Sequence, residues 1–191
     1  MSESSNVGTE SSHERVHSDH PSPNQQRRDD GHSNIFDALP SDATIALELE
    51  KYFMTTHKAI PFVCKEEVQQ GFRTGLHKIS SKFRLVVLSL MVMAADEQML
   101  VSPNGPSILD YLSAQLAGIV SNLDDLVFEH VTASYACFVA HEKRKDSRSA
   151  WYYLQLAITF IQILGLDHPE TYATLPDMRW ATLSLKVYYT V

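Results

Sequence analysis

The stretch AWYYLQLAITFIQILGL, at residues 150–166, decides the fold class of this chain. At helical spacing, one face carries four apolar residues: Trp151, Leu154, Ile158 and Ile161. Only a narrow polar stripe interrupts the remaining surface: Gln155, Thr159 and Gln162. A helix that is apolar around most of its circumference has to be enclosed by other helices. The stretch therefore predicts the central helix of an all-α domain.

The rest of the chain predicts further helices and no strand, giving an array of about six to seven helices. They are expected from Ser41 or Asp42 through Phe53, from about Lys65 to Phe72, from Ser80 or Ser81 through residues 82–99, from Ser107 to Val120, from Asp124 or Asp125 to His141, and after Pro176. Residues 82–99 contain β-branched side chains, but their length and their Leu, Met and Ala content favour a helix over a buried strand. Ser147 or Ser149 is expected to cap the helix at 150–166, which Gly165 and Pro169 end.

The charge and the large apolar side chains divide the chain into two regions. Residues 1–40 are rich in polar residues and predict a disordered acidic tail, whereas residues 41–191 predict the helical domain. Eight acidic residues and three arginines lie in residues 1–42, out of a net charge of −7 for the chain. A nearly neutral domain behind an acidic tail has no overall attraction for nucleic acid. We therefore expect no DNA binding by this chain itself.

Targeting signals and membrane spans are not visible in the sequence. The N-terminus has no apolar core of the kind that a secretory signal requires. The longest apolar run, Leu85–Ala95, is shorter than the roughly 18 residues that cross a bilayer. The two cysteines, Cys64 and Cys137, match no zinc or disulfide framework. These features predict an intracellular protein with no membrane association.

Candidate catalytic and metal-binding groups have simpler structural explanations. The sequence has no GxGxxG, GxxxxGK[ST], HExxH, GxSxG or CxxC motif. His57 and Cys64 could form a general base and a thiol nucleophile, but a histidine in a turn and a cysteine in the core are favoured. Asp96 and Glu97 could form a pair of acids, but the solvated end of a helix is favoured. The tail histidines are expected to be polar leader residues rather than metal ligands: His13, His17, His20 and His32. We expect no catalytic, cofactor-binding or metal-binding residue, and no enzyme.

For two further groups of residues, the sequence leaves a functional and a structural interpretation open. Lys143, Arg144 and Lys145, with Arg148, form a basic cluster that could contact phosphate or serve as a localisation signal, although a charged loop is favoured. Four aromatic residues could line a small-molecule pocket, although core positions are favoured: Trp151, Trp180, Tyr188 and Tyr189.

From Leu47 onward, the chain resembles the regulatory, or middle homology, domain of fungal zinc-cluster transcription factors. Three blocks carry the resemblance: LELEKYFMTTHKAIPFV, LVVLSLMVMAADEQ and SAWYYLQLAITFIQILGLDHPETYATLP. The first is similar to the family's YF…H…PF opening, and the third to its AW-x-Y…AI…LGL signature. The residues that match and that we take as family-signature positions are Tyr52, Phe53, His57, Pro61, Phe62, Trp151, Tyr153, Ala157, Gly165 and Leu166. Thr171-Tyr172 adds a likeness to sugar-utilisation activators.

The resemblance implies a nuclear regulator of transcription that acts through helix–helix association or self-association, with a metabolite effector as an open alternative. The family's zinc cluster of six cysteines is absent from this sequence, so zinc-dependent DNA binding cannot be assigned to any residue, and no cofactor is expected. DNA would be reached only through relatives that carry the cluster. The family domain is longer, so we expect a version incomplete at its C-terminus. The alternative is a stand-alone helical module for protein interaction or small-ligand binding, unrelated to DNA; a helical enzyme is a distant third.

Overall fold

A computed structural model describes residues 40–59, 61–96, 107–168 and 170–171 of the chain. This part contains seven α-helices, two short 3-10 helices and no strand, which confirms the predicted all-α array. The α-helices are α1 (Asp42–Met54), α2 (Lys65–Arg73), α3 (Leu76–Ile79), α4 (Ser81–Ala94), α5 (Ile108–Ser121), α6 (Phe128–Lys143) and α7 (Ser147–Ile163). The predicted tail before Pro40, the predicted stop at Pro169 and the predicted helix after Pro176 lie outside the described residues.

Short polar side chains start three of the helices, as their sequence positions predicted. The Ser41 hydroxyl accepts a hydrogen bond from the Thr44 N–H at 3.2 Å, and that of Ser80 accepts one from the Phe83 N–H at 3.2 Å. Ser107 and Asp110 form a reciprocal capping box at the start of α5. Each cap satisfies an N–H that has no partner inside its helix.

Two predicted helix starts are wrong. Helix α6 begins at Phe128, and Asp124 and Asp125 lie instead in a separate 3-10 helix. Helix α7 is capped by Asp146, whose carboxylate accepts a hydrogen bond from the Ser149 N–H at 3.2 Å, and not by Ser147 or Ser149. Several neighbouring polar residues can cap a helix, and the preceding turn decides which of them lies next to the free N–H groups of the first turn.

The enclosed helix of the domain is α4, which corrects the prediction for residues 150–166. Every residue from Val87 to Ala95 is buried, and α4 packs against α1, α5 and α6. Helix α7, by contrast, packs chiefly on α6. It buries one face, formed by Ala150, Ala157, Phe160 and Ile161. Apolar residues around most of a helix therefore did not identify the helix at the centre.

A glycine permits the Phe83 ring of α4 to pack directly against α2. Gly71, in α2, is buried, and a Cβ atom built on it would lie 2.5 Å from the Cζ atom of the Phe83 ring. That separation is far below van der Waals contact, so any side chain at this position must displace the ring. Gly118, in α5, has no heavy atom within 4 Å of the corresponding position. The two helical glycines therefore differ in what surrounds them.

Alanine at these two positions should change stability in opposite directions. We expect Gly71→Ala to destabilise the domain by roughly 1–3 kcal/mol, because the Phe83 ring must leave a packed position. We expect Gly118→Ala to stabilise it by roughly 0.5–1 kcal/mol through helix propensity alone. Urea denaturation of both variants measures the two changes. Stabilisation by Gly71→Ala would contradict the packing of Phe83 against α2.

Candidate interaction face and ligand pocket

The first signature block folds into an aromatic cluster that joins the end of α1 to the segment after it. The His57 ring lies 5.7 Å from that of Tyr52 and 5.3 Å from that of Phe53, measured between centroids. Phe62 is 1% exposed and meets the ring of Tyr135 edge-on at 4.8 Å. The Tyr52 hydroxyl is hydrogen-bonded to the backbone of Phe62, and burial raises the pKa of Tyr52 well above its ordinary value. This block is therefore core packing rather than a reactive site.

The third signature block forms the body and the end of α7. The Tyr153 hydroxyl donates a hydrogen bond to the Ser113 Oγ atom at 2.8 Å, and Ala157 is completely buried. At the end of the helix, Gly165 has a φ of 65°, and the N–H of Leu166 donates to the Ile161 carbonyl at 2.9 Å. The N–H of Gly165 donates to the Gln162 carbonyl at 3.0 Å. These two bonds form a Schellman motif, which explains why leucine, glycine and leucine follow one another here.

Trp151 departs from its predicted position in the core. It is 63% exposed, and its neighbours on the same helical face, Leu154 and Ile158, are only half-buried. We call these three residues the α7 outer face. Of the four apolar residues predicted to share that side, only Ile161 belongs to the buried core. The other three aromatic residues of the predicted pocket, Trp180, Tyr188 and Tyr189, lie outside the described residues.

The fold separates Lys143 from the other three residues of the basic cluster. Lys143 turns inward, and its ammonium group donates hydrogen bonds to the carbonyls of Met93 and Ala95, both at 2.8 Å. Burial lowers the pKa of Lys143. Since those carbonyls belong to the last turn of α4 and the residue after it, Lys143 satisfies groups that the helix leaves unpaired. Arg144, Lys145 and Arg148 remain exposed.

The sequence candidates for catalysis form structural contacts. Asp96 accepts a hydrogen bond from Lys51 at 2.8 Å, which lowers the pKa of Asp96; Glu97, its predicted partner, lies outside the described residues. The Cys64 thiol donates to the Glu66 carboxylate at 3.2 Å, while His57 belongs to the aromatic cluster. Cys137 is completely buried. Among the described residues, no three His, Cys, Asp or Glu side chains are grouped to hold a metal ion, and the tail histidines lie outside that part.

A cavity of about 390 Å³ lies where α2, α4 and α6 approach one another, and sequence reasoning missed it. Its walls are mainly apolar and include Phe62, Val63, Val68, Phe83, Val86 and Phe128. Glu67, Lys82 and Glu129 also line it. We call it the α2–α6 pocket. No local motif could have revealed it, because its residues come from four separate parts of the chain.

Comparison with protein-family models, with curated proteins and with solved structures finds no significant match. The relationship to fungal zinc-cluster factors thus stays a resemblance carried by the residues quoted above. Across the described ranges, no helix is long and apolar enough to cross a membrane.

His130 is a buried titratable residue in the first turn of α6. Its Nδ1 atom accepts a hydrogen bond from the Val127 N–H at 3.1 Å, so this nitrogen carries no proton. Burial lowers the pKa of His130 below its ordinary 6.5, although the nearby Glu129 carboxylate acts in the opposite direction. The folded domain therefore favours the neutral form of the His130 imidazole.

Removing the Lys143 ammonium should weaken the domain. Lys143→Met keeps the length of the side chain but leaves the Met93 and Ala95 carbonyls without their donor, and we expect a loss of roughly 1–3 kcal/mol in unfolding free energy. Arg144→Met, at the exposed neighbouring position, should change stability by less than about 0.5 kcal/mol. Urea denaturation compares the two variants. If the two variants had equally small effects on stability, water would satisfy the Met93 and Ala95 carbonyls as well as Lys143 does.

His130 should make the domain sensitive to acid. The unfolded histidine, with a pKa near 6.5, binds a proton more readily than the folded one, so its contribution to stability is present above pH 6.5 and is lost as the pH falls below it. His130→Asn should flatten the dependence of the melting temperature on pH between about 7 and 5. The exposed His168→Asn is the control for loss of an imidazole. An unchanged slope in His130→Asn would contradict this assignment.

Proposed function

We propose that this chain is a non-catalytic helical module that regulates a fungal transcription factor of the zinc-cluster class. It acts in the nucleus through helix–helix association and reaches DNA only through proteins that carry the zinc cluster. Support comes from the first and third signature blocks, whose residues form two coherent structural units: the aromatic cluster after α1 and the Schellman end of α7. The likeness to sugar-utilisation activators gives carbon metabolism as the regulated class.

The observation that carries this proposal is the α7 outer face. A tryptophan that is 63% exposed next to half-buried leucine and isoleucine is the composition of a protein-binding hot spot. Full burial of an exposed aliphatic side chain contributes roughly 1.5–3 kcal/mol, and the half-buried Leu154 and Ile158 would each contribute less than that. Gln155 and Thr159 border the face and are exposed, so a partner helix would meet an apolar centre with a polar rim.

A second candidate function is a stand-alone module that binds a small ligand. The α2–α6 pocket favours it, because apolar cavities with a few charged groups at the edge are the usual form of small-molecule sites. This candidate requires no relationship to DNA. It also accommodates the metabolite effector that remains open for a transcriptional regulator.

A reporter assay tests the first candidate. The chain, fused to a heterologous DNA-binding module in fungal cells, should change reporter transcription relative to the DNA-binding module alone. Trp151→Asp should remove most of that change, because a charge in the α7 outer face opposes apolar association. Leu47→Asp is a matched control, since Leu47 is 64% exposed and belongs to α1.

Circular dichroism should show that both variants keep the helical content of the wild type. A folded wild-type fusion with no effect on transcription would refute the transcriptional role. An effect that Trp151→Asp leaves intact would refute the role of the α7 outer face.

A further inference from the structure

We propose that Ser147 is a phosphorylation site for a protein kinase that recognises basic residues before a serine, and that the phosphate weakens association at the α7 outer face. The modification itself does not depend on the proposed function, whereas its regulatory effect rests on the first candidate function. Three observations lead to it: an exposed hydroxyl with no structural role, the basic residues before it, and its position one helical turn before Trp151.

The hydroxyl of Ser147 has no structural role in the part of the chain that the structure describes. Helix α7 is capped by Asp146, whose carboxylate accepts a hydrogen bond from the Ser149 N–H. Ser147 is the first residue of α7, is exposed, and makes no side-chain hydrogen bond with another described residue. Ser149, by contrast, is half-buried, and its hydroxyl bonds to the Asp146 carboxylate. Of the two serines, Ser147 is therefore the one whose Oγ atom is available for reaction.

The residues before Ser147 carry the charge pattern that basophilic protein kinases select. Arg144 precedes it by three residues and Lys145 by two, and both are exposed. Among the serines and threonines of the described ranges, Ser147 alone has an arginine at the third preceding position. Basophilic kinases carry carboxylates beside the catalytic site that pair with this arginine, so their selectivity follows from charge pairing. The pattern gives the exposed part of the basic cluster a specific role.

The turn before Ser147 keeps these charges at the surface. Lys145 has a φ of 56°, and glycine is the usual residue at such a left-handed position, whereas the lysine adds a positive charge. A kinase binds its substrate as an extended segment, so the first turn of α7 has to open. Residues 144–148 are all exposed, and the first buried side chain of α7 is Ala150. Opening this turn therefore uncovers little apolar surface and is a local event.

The modification is a phosphoryl transfer from ATP. The Oγ atom of Ser147 bonds to the γ-phosphorus while the bond from that phosphorus to ADP breaks, ADP leaves, and the hydroxyl proton passes to the kinase. A neutral hydroxyl thus becomes a group that carries a charge of roughly −1.5 to −2 at neutral pH. The start of a helix tolerates such an anion, because the N-terminus carries a partial positive charge.

The phosphate would lie on the same side of α7 as the outer face. Ser147 and Trp151 are four residues apart, which places their Cβ atoms roughly 5–6 Å from each other on a helix. Residues 150–166 contain no charged side chain, so the phosphate would put an anion beside a neutral surface. A partner that buries Trp151 would then have to remove water from this anion. Phosphorylation should therefore weaken association at the α7 outer face.

A purely structural explanation of these residues competes with the proposal. Serine is well tolerated at the start of a helix, and a short run of lysine and arginine is often only a solvated turn. That explanation predicts no transfer of phosphate to Ser147 and no dependence of any transfer on Arg144. Measurement of the transfer therefore separates the two explanations.

The first experiment incubates the purified full chain with ATP and the catalytic subunit of cyclic-AMP-dependent protein kinase, and locates the phosphate by mass spectrometry. We expect phosphate on Ser147. Arg144→Gln should slow the transfer to Ser147 by roughly tenfold, because the charge-assisted contact with the kinase is lost. Arg73→Gln removes an exposed arginine outside the motif and should leave the rate unchanged.

Serine variants identify the acceptor. Ser147→Ala should abolish the phosphate in this segment, whereas Ser149→Ala should retain it, and circular dichroism checks that both variants fold. The proposal is overturned if Ser147 stays unmodified under conditions in which the kinase fully phosphorylates a basic serine peptide. It is also overturned if Arg144→Gln leaves the rate of transfer unchanged.

The second experiment measures the regulatory effect in the reporter assay. Ser147→Asp should reduce the change in transcription, whereas Ser147→Asn, which has the same size and no charge, should leave it intact. A reduction by both variants, or by neither, would overturn the regulatory effect. The transfer of phosphate is measured on the isolated chain, so it does not depend on the reporter, and a failure of the proposed function is distinguishable from a failure of the phosphorylation site.

Discussion

The enclosure of α4 is the constraint on which the rest of the structure depends. An unbroken run of buried residues from Val87 to Ala95 needs neighbours on every side, and α1, α3, α5 and α6 supply them. At the end of this helix, Lys143 of α6 donates hydrogen bonds to the carbonyls of Met93 and Ala95. A lysine that the sequence assigned to a basic surface cluster thus joins α6 to the end of α4.

The resemblance to fungal zinc-cluster factors has a physical explanation in the residues that carry it. The aromatic cluster around His57 closes the end of α1 over the core, and the glycine at 165 allows the left-handed turn that ends α7. Few amino acids are compatible with the local structure at these positions. These positions therefore reflect constraints of folding, and the proposed function depends on the surfaces that folding leaves open.

Two such surfaces differ in what they can recognise. The α7 outer face is convex and apolar, includes a large exposed aromatic residue, and suits another helix. The α2–α6 pocket is concave, with charged groups at its edge, and suits a small molecule. Helix α6 connects the two, because α7 packs along it and its first turn contributes Phe128 and Glu129 to the pocket. A regulator that couples ligand binding to partner binding would use such a helix, although either surface can function alone.

The sequence by itself determined the helical class, most helix boundaries and several caps, because these follow from local periodicity and from backbone groups satisfied by near neighbours. Serine at 41, 80 and 107 and glycine at 165 act within four residues of their own positions. Only the tertiary structure decided that α4 rather than α7 is enclosed, that Trp151 faces outward, that Lys143 faces inward, and that four separate segments surround a pocket. Each of these depends on contacts between residues distant in the chain, and the energy of such contacts is not contained in the pattern of any one helix.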